Sequence, residues 1–178
     1  MMIRENPLAD LDADFSSPGA SALPWSKAEQ ILQQAGVYWL STLRPEGRPH
    51  VAPLIAVWLE GKLYFSTGHD ERKAKNLAKD TRVAITTGSN RLTDGLDIVV
   101  EGQAVAVSDA TKRRRVEEAY AAKYGGGWRL PGFEGVLVFE VTPTTVFGFG
   151  RGDAKGPPPE GGFNQTRWRF EAALAAAS

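Results

Sequence analysis

Val37-Tyr38-Trp39-Leu40-Ser41-Thr42-Leu43-Arg44-Pro45-Glu46-Gly47-Arg48-Pro49-His50-Val51-Ala52-Pro53 decides the fold. A β-branched and aromatic run meets Pro and Gly at the positions a tight reversal uses, and a second alternating run follows, so the segment predicts a β-hairpin. The second strand is expected to continue to Leu59. It puts Val51, Pro53, Ile55, Val57 and Leu59 on one face, and His50, Ala52, Leu54, Ala56 and Trp58 on the other. Both faces are mostly apolar, so both are expected to be covered. Glu60-Gly61 then turns the chain into Lys62-Leu63-Tyr64-Phe65-Ser66.

The next segment, Ser66-Thr67-Gly68-His69-Asp70-Glu71-Arg72-Lys73-Ala74-Lys75-Asn76, concentrates polar groups at the entry to a helix. Hydroxyls ending a strand, a Gly loop and cations on a first helical turn are the parts that hold an anion. Asp70 is the expected cap, and Ala74, Leu77 and Ala78 are the expected buried stripe. Arg72 and Asn76 stand at i and i+4, and Lys73 and Asn76 at i and i+3, so all three can face the strand end at Ser66 and Thr67. Arg82 to Thr87 reads as the next strand.

Outward from this centre the pattern stays mainly β. Ser26 and Glu29 are spaced as a capping box before a short helix over 27–35. Leu96 to Val107 predicts a long strand with Gly102 as a bulge. Asp109 caps a charged helix from Ala110 to about Lys123, in which Lys112-Arg113-Arg114-Arg115 followed by Glu117-Glu118 reads as a salt-bridged surface. Gly135 to Thr142 and Thr145 to Phe149 read as two strands turned by Pro143-Thr144, residues 150–163 as a Gly/Pro loop, and Thr166 to Phe170 as a last strand. Six or seven antiparallel strands with short helices and two-sided apolar patterning indicate a closed or nearly closed barrel, one sheet face of which meets a large partner.

Composition narrows the chemistry. With 178 residues, 42% hydrophobic and 24% charged, the chain reads as one globular domain, and folding at this size buries about 70% of the unfolded surface. No apolar run reaches the roughly 20 residues of a membrane span, and the N-terminus lacks the order of a signal peptide, so a cytoplasmic protein with no membrane partner is expected. The absence of Cys and the presence of only two His speak against a metal centre. Lys plus Arg and Asp plus Glu number 21 each, which gives no global attraction to nucleic acid. Gly148-Phe149-Gly150-Arg151-Gly152 is followed by prolines rather than a helix, so the dinucleotide fingerprint fails.

The ordered set Leu43 to Pro53, Leu63-Tyr64-Phe65-Ser66-Thr67, Arg72-Lys73-Ala74-Lys75-Asn76-Leu77 and Asp80-Thr81-Arg82-Val83-Ala84 resembles the pyridoxamine 5'-phosphate oxidase-like family, the FMN-binding split barrels. Gln165-Thr166-Arg167-Trp168-Arg169-Phe170 is similar to the ending of its flavin and deazaflavin reductase branch. The resemblance covers roughly residues 27–170 and implies an antiparallel split β-barrel, taken as the domain 24–170; residues 1–23, with Pro7, Pro18, Gly19, scattered acids and no periodicity, read as a flexible lead, and 171–178 as a C-terminal tail. The resemblance further implies a homodimer that holds FMN or F420 at the subunit interface. By the same resemblance Ser66 and Thr67 touch the ring or phosphate, Lys73 and Asn76 hold the phosphate, Arg72 is the adjacent basic position, and Trp168 is a C-terminal aromatic near the ring. His50 stands where the true oxidases carry an Arg. The Arg-x-His motif that grips pyridoxal phosphate in those oxidases is not evident, so the implied relatives are reductases acting on a small unsaturated substrate. The Arg167 to Phe170 ending tilts the cofactor towards F420, with Lys75, Lys79 and Arg151 as candidate partners for its acidic tail. A non-catalytic flavin- or haem-binding protein of the same fold is the alternative. No catalytic residue is assigned.

Overall fold

A computed structural model of the chain describes residues 7–89, 91, 93, 95–128, 135–151 and 162–170. Nine strands and three α-helices are described: β1 (Leu8–Leu11), α1 (Trp25–Gln34), β2 (Tyr38–Leu43), β3 (Pro49–Leu54), β4 (Val57–Leu59), β5 (Lys62–Gly68), α2 (Arg72–Leu77), β6 (Arg82–Thr87), β7 (Gly95–Ala106), α3 (Ala110–Tyr124), β8 (Val136–Arg151) and β9 (Asn164–Arg169). The hydrogen-bonded order is β1-β9-β8-β7-β6-β2-β3, and β5 pairs with both β8 and β4. Among the described residues no helix is long and apolar enough to cross a membrane.

The chain forms two compact units, each assembled from separated segments. The first takes the N-terminal residues to Gln34, Thr86–Val100 and the chain from Thr144 onward; the second takes Ala35–Ile85 and Glu101–Pro143. Strands β7 and β8 contribute residues to both.

In the first unit the sheet order is β1-β9-β8. Leu8 pairs with Arg169 and Leu11 with Thr166, while Thr145 to Gly150 pair with Arg169 to Asn164. The expected flexible lead therefore contains a strand. Asp10 holds it in place by pairing with Arg167 at 2.8 Å and Arg169 at 3.5 Å, and Asp12 N donates to Gln165 O. Those partners lie far along the chain, beyond the reach of local periodicity. Leu32, Ile98, Val146 and Trp168 are buried. Trp168 is anchored by Nε1 donating to Leu23 O at 3.0 Å and by the Trp25 ring edge-on at 5.7 Å. Gly148 makes room for it, since a Cβ there would lie 2.6 Å from the indole.

In the second unit both predicted turns form. Gly47, at φ 81°, donates to Arg44 O at 2.8 Å, and β2 and β3 pair from Leu43 with Pro49 to Tyr38 with Leu54. Glu60 (φ 53°) and Gly61 (φ 80°) make a two-residue turn, with Leu59 opposite Lys62. Two positive φ values in succession give the primed twist that suits a tight hairpin. Asp109 caps α3, its Oδ1 accepting from Lys112 N at 2.7 Å.

Two expectations on strand continuity are corrected. The strand from His50 to Leu59 breaks at Ile55-Ala56, because α3 takes the backbone groups there. Tyr120 donates to Ile55 O, the Tyr124 hydroxyl donates to Ala56 O and accepts from Ala56 N, and Lys123 Nζ donates to Ala56 O. Their hydrogen-bonding needs are met without a sheet neighbour. Pro143-Thr144 does not turn, and β8 runs unbroken from Val136 to Arg151. At Gly102 the backbone of another segment approaches closely, for a Cβ there would sit 2.3 Å from Thr142 O. Of the residues expected in the Gly/Pro loop, Gly150 and Arg151 belong to the end of β8, Gly162 and Phe163 are irregular chain leading into β9, and 152–161 lie outside the described residues, where the 171–178 tail also falls.

Candidate functional site

Alternation along the β2–β3 hairpin sorts its residues. Tyr38, Leu40 and Thr42 are buried on one face, with His50 paired opposite Thr42. The other face carries Trp39 and Val51, which are 50% and 55% exposed. Among the described residues the face of the hairpin that carries Trp39 and Val51 is therefore left open, although Val57 further along is buried.

Inside the hairpin, Asn76 from α2 is fully buried, and its Nδ2 donates to Thr42 Oγ1 at 2.9 Å. Thr42 Oγ1 lies 3.5 Å from both His50 Nδ1 and His50 O. Asn76 thereby links α2 to the strand that positions His50. Its Oδ1 is buried without a partner among the described residues, as is Arg44 Nε. His50 titrates below the ordinary histidine value, first through burial and then through the positive charges of Arg44, Lys73 and Arg72. Those three cations and His50 therefore share one electrostatic neighbourhood. Sequence reasoning missed Arg44, which lies in the hairpin turn and appears as ordinary turn polarity.

At the end of β5, Thr67 is buried and Ser66 half-buried, paired with Leu137 and Val138 of β8. The helix that follows has only six residues, too few for its dipole to be the main source of anion attraction. Its N-cap is Glu71 rather than Asp70, and the Glu71 side chain makes no cap bond. Instead Glu71 Oε1 accepts from Gly68 N at 2.8 Å, and Oε2 pairs with Lys73 Nζ. Lys73, Gly68 N–H and, more weakly, the Thr67 hydroxyl hold this carboxylate below its usual titration range. The buried stripe of α2 is Ala74, Asn76 and Leu77, with Ala78 exposed. Arg72 is exposed and has no ion pair or hydrogen bond among the described residues, and Lys75 pairs loosely with Asp70 at 3.6 Å.

The second unit thus brings together His50, Thr67, Lys73 and Asn76 with Arg72 and Arg44 nearby by charge, and Ser66 lies one residue before Thr67 on β5. Trp168 belongs to the core of the first unit, fully buried. Arg167 and Arg169, read as part of a cofactor-linked ending, are engaged by Asp10. Arg151 is likewise engaged, by Asp97 and Arg91 O. A concave region of about 500 Å³ in the first unit, lined among others by Lys27, Gln30, Leu96 and Asn164, involves none of the α2 residues.

The sequence profile of the pyridoxamine 5'-phosphate oxidase family matches residues 25–149. The chain belongs to that family. Its fold is the antiparallel split β-barrel of the pyridoxamine 5'-phosphate oxidase-like proteins. None of the curated proteins matches the chain. Among solved structures, a conserved hypothetical protein from Mycobacterium tuberculosis shares the family fold with a TM-score of 0.66 at 15% identity, over 76% of this chain and 89% of that one. A haem-binding protein from Mycobacterium smegmatis aligns with a TM-score of 0.66 at 18% identity, over 84% of this chain and 59% of its own. An FAD-binding protein from Mesorhizobium loti aligns with a TM-score of 0.58 at 16% identity, over 83% of this chain and 96% of its own. At these identities the likeness is one of fold.

Proposed function

We propose that the chain is an oxidoreductase of this family that binds FMN or F420 and transfers a hydride between the bound cofactor and a small unsaturated substrate. One observation carries the reading: the end of β5 and the start of α2 already hold a carboxylate between a backbone N–H and a lysine amine. Donors so arranged suit a phosphate equally well. Lys73 and Gly68 N–H take the phosphate, Arg72 approaches from the exposed side, and Ser66 and Thr67 contribute hydroxyls at the strand end. Asn76, being fully buried and bonded to Thr42, acts by fixing Thr42 and His50 rather than by touching the ligand.

The redox chemistry itself is supplied by the tricyclic ring when it is bound. The protein's part is to anchor the cofactor's phosphate, wall the ring and exclude water. A second copy of the chain, packed on the exposed face that carries Trp39 and Val51, completes the site as a homodimer. Aromatic and β-branched side chains left half exposed on a sheet are the surface such an interface buries. With Arg167 and Arg169 engaged by Asp10, the ending no longer favours F420 over FMN.

Haem binding without turnover is the second reading, favoured by the haem-binding protein among the structural relatives. Purified protein incubated separately with FMN, F420 and hemin, then desalted, distinguishes the two. Retained flavin or deazaflavin absorbance with a dimer by sedimentation is the expected result. A Soret band alone supports the haem reading, and retention of none overturns both.

A further inference from the structure

We propose that Glu71 is a built-in competitor for the anion site, so that a ligand binds only by displacing its carboxylate. This rests on the anion site proposed above and adds which anions it accepts. The Glu71 carboxylate stands in for a ligand's oxyanion: one oxygen takes Gly68 N–H at 2.8 Å, and the other takes the Lys73 amine. These are the donors a phosphate needs, and both cannot be shared between two anions without like-charge repulsion. The Glu71 side chain is about half exposed (51%) whereas that of Lys73 is 12% exposed. The acid is therefore the member free to swing out, and the lysine the fixed member of the cradle. The Thr67 hydroxyl at the end of β5 adds a weaker bond to the same carboxylate, and because these are side-chain and strand-end donors, its release breaks no strand pairing.

The competition selects by charge. A carboxylate or phosphodiester carries one negative charge and merely replaces another, gaining little. A phosphate monoester brings a charge of about −1.5 to −2 and three acceptor oxygens, which Lys73, Gly68 N–H and the unpaired Arg72 together can satisfy. Glu71 thus tunes the site towards a phosphate monoester such as that of FMN and away from diester-linked cofactors such as F420.

The test is fluorescence titration of the full chain with FMN, and with riboflavin as the phosphate-free control, in wild type, Glu71→Gln, Glu71→Ala and Lys73→Ala, with melting temperatures alongside. Both Glu71 variants are expected to tighten FMN binding by about threefold to fivefold, the size of a partly exposed ion pair, and to leave riboflavin unchanged. FMN affinity that stays the same or weakens in both folded variants overturns the role of Glu71. If at the same time Lys73→Ala weakens FMN, the anion site itself survives that failure. If wild type shows no saturable FMN binding, or Lys73→Ala leaves it unchanged, the phosphate site falls and the competitor with it.

Discussion

Helices α2 and α3 both look basic in sequence, yet the structure uses their cations in opposite ways. On α3, Lys112 pairs with Glu140 at 2.7 Å, Arg113 donates to Val107 O and Val136 O, Arg115 pairs with Glu60, and Lys123 donates to Tyr38 Oη and Ala56 O. These partners come from β2, β8, the end of β7, the link at Ala56 and the turn at Glu60, all outside α3 itself. The basic run is therefore a clamp between elements. On α2 the partners are local and weak or missing: Glu71 for Lys73, Asp70 at 3.6 Å for Lys75, and none among the described residues for Arg72. A run of positive charge indicates a ligand site only where the fold leaves it unspent.

The clamp should break with the largest effect on stability at Glu140. Its side chain is 12% exposed and receives Lys112, Lys62 and the Tyr64 hydroxyl. Glu140→Gln leaves charged donors without their counter-ion, which predicts a loss of about 2 kcal/mol in denaturant unfolding and unaltered cofactor affinity. An equal loss of affinity would show that the two helices are not separate in function. Burial acts to raise the Glu140 pKa, but the bonds from Lys112, Lys62 and Tyr64 outweigh it and bring the group down to about 2. A depressed carboxyl stabilises the fold above its unfolded value of about 4.5 and loses that contribution as pH falls towards 2. Acid titration of unfolding should accordingly fall less steeply in Glu140→Gln than in wild type.

A smaller effect is expected at the other end of α3. Burial against Tyr38 and Tyr124 lowers Lys123 to about 8 from 10.5. Between these values the unfolded chain binds the extra proton, so stability contributed at this position rises with pH across that window. The neutral amine retains two N–H donors for its two acceptors, Tyr38 Oη and Ala56 O, and the Tyr38 and Tyr124 hydroxyls, raised by burial, stay protonated. Unfolding measured from pH 8 to 10.5 should show a gain in wild type relative to Lys123→Met; parallel curves would place Lys123 in solvent.

Much of the fold was legible because its signals are local. Gly47, Glu60-Gly61 and Asp109 each encode a turn or cap within four residues, and the structure places all three as read. What was illegible depends on partners distant in sequence. Asp10 orders the N-terminal lead by meeting Arg167 and Arg169, and Tyr120, Lys123 and Tyr124 cut β3 from β4 by reaching Ile55 and Ala56. The candidate site shows the same division. Lys73 and Arg72 could be picked out from the strand-loop-helix order, whereas the burial of Asn76 against Thr42 and the charge of Arg44 on His50 are tertiary facts; the seat of Glu71 is local, but its spacing reads as ordinary helix-entry polarity.

The most direct test of the central claim is equilibrium titration with FMN and F420 by ring fluorescence in wild type, Lys73→Ala and Lys112→Ala. Saturable binding of at least one cofactor is predicted, weakened about tenfold or more by Lys73→Ala with little change in the melting temperature of the cofactor-free protein, and unaffected by Lys112→Ala. No saturable binding of either cofactor to wild type, or the same loss in both variants, would contradict it.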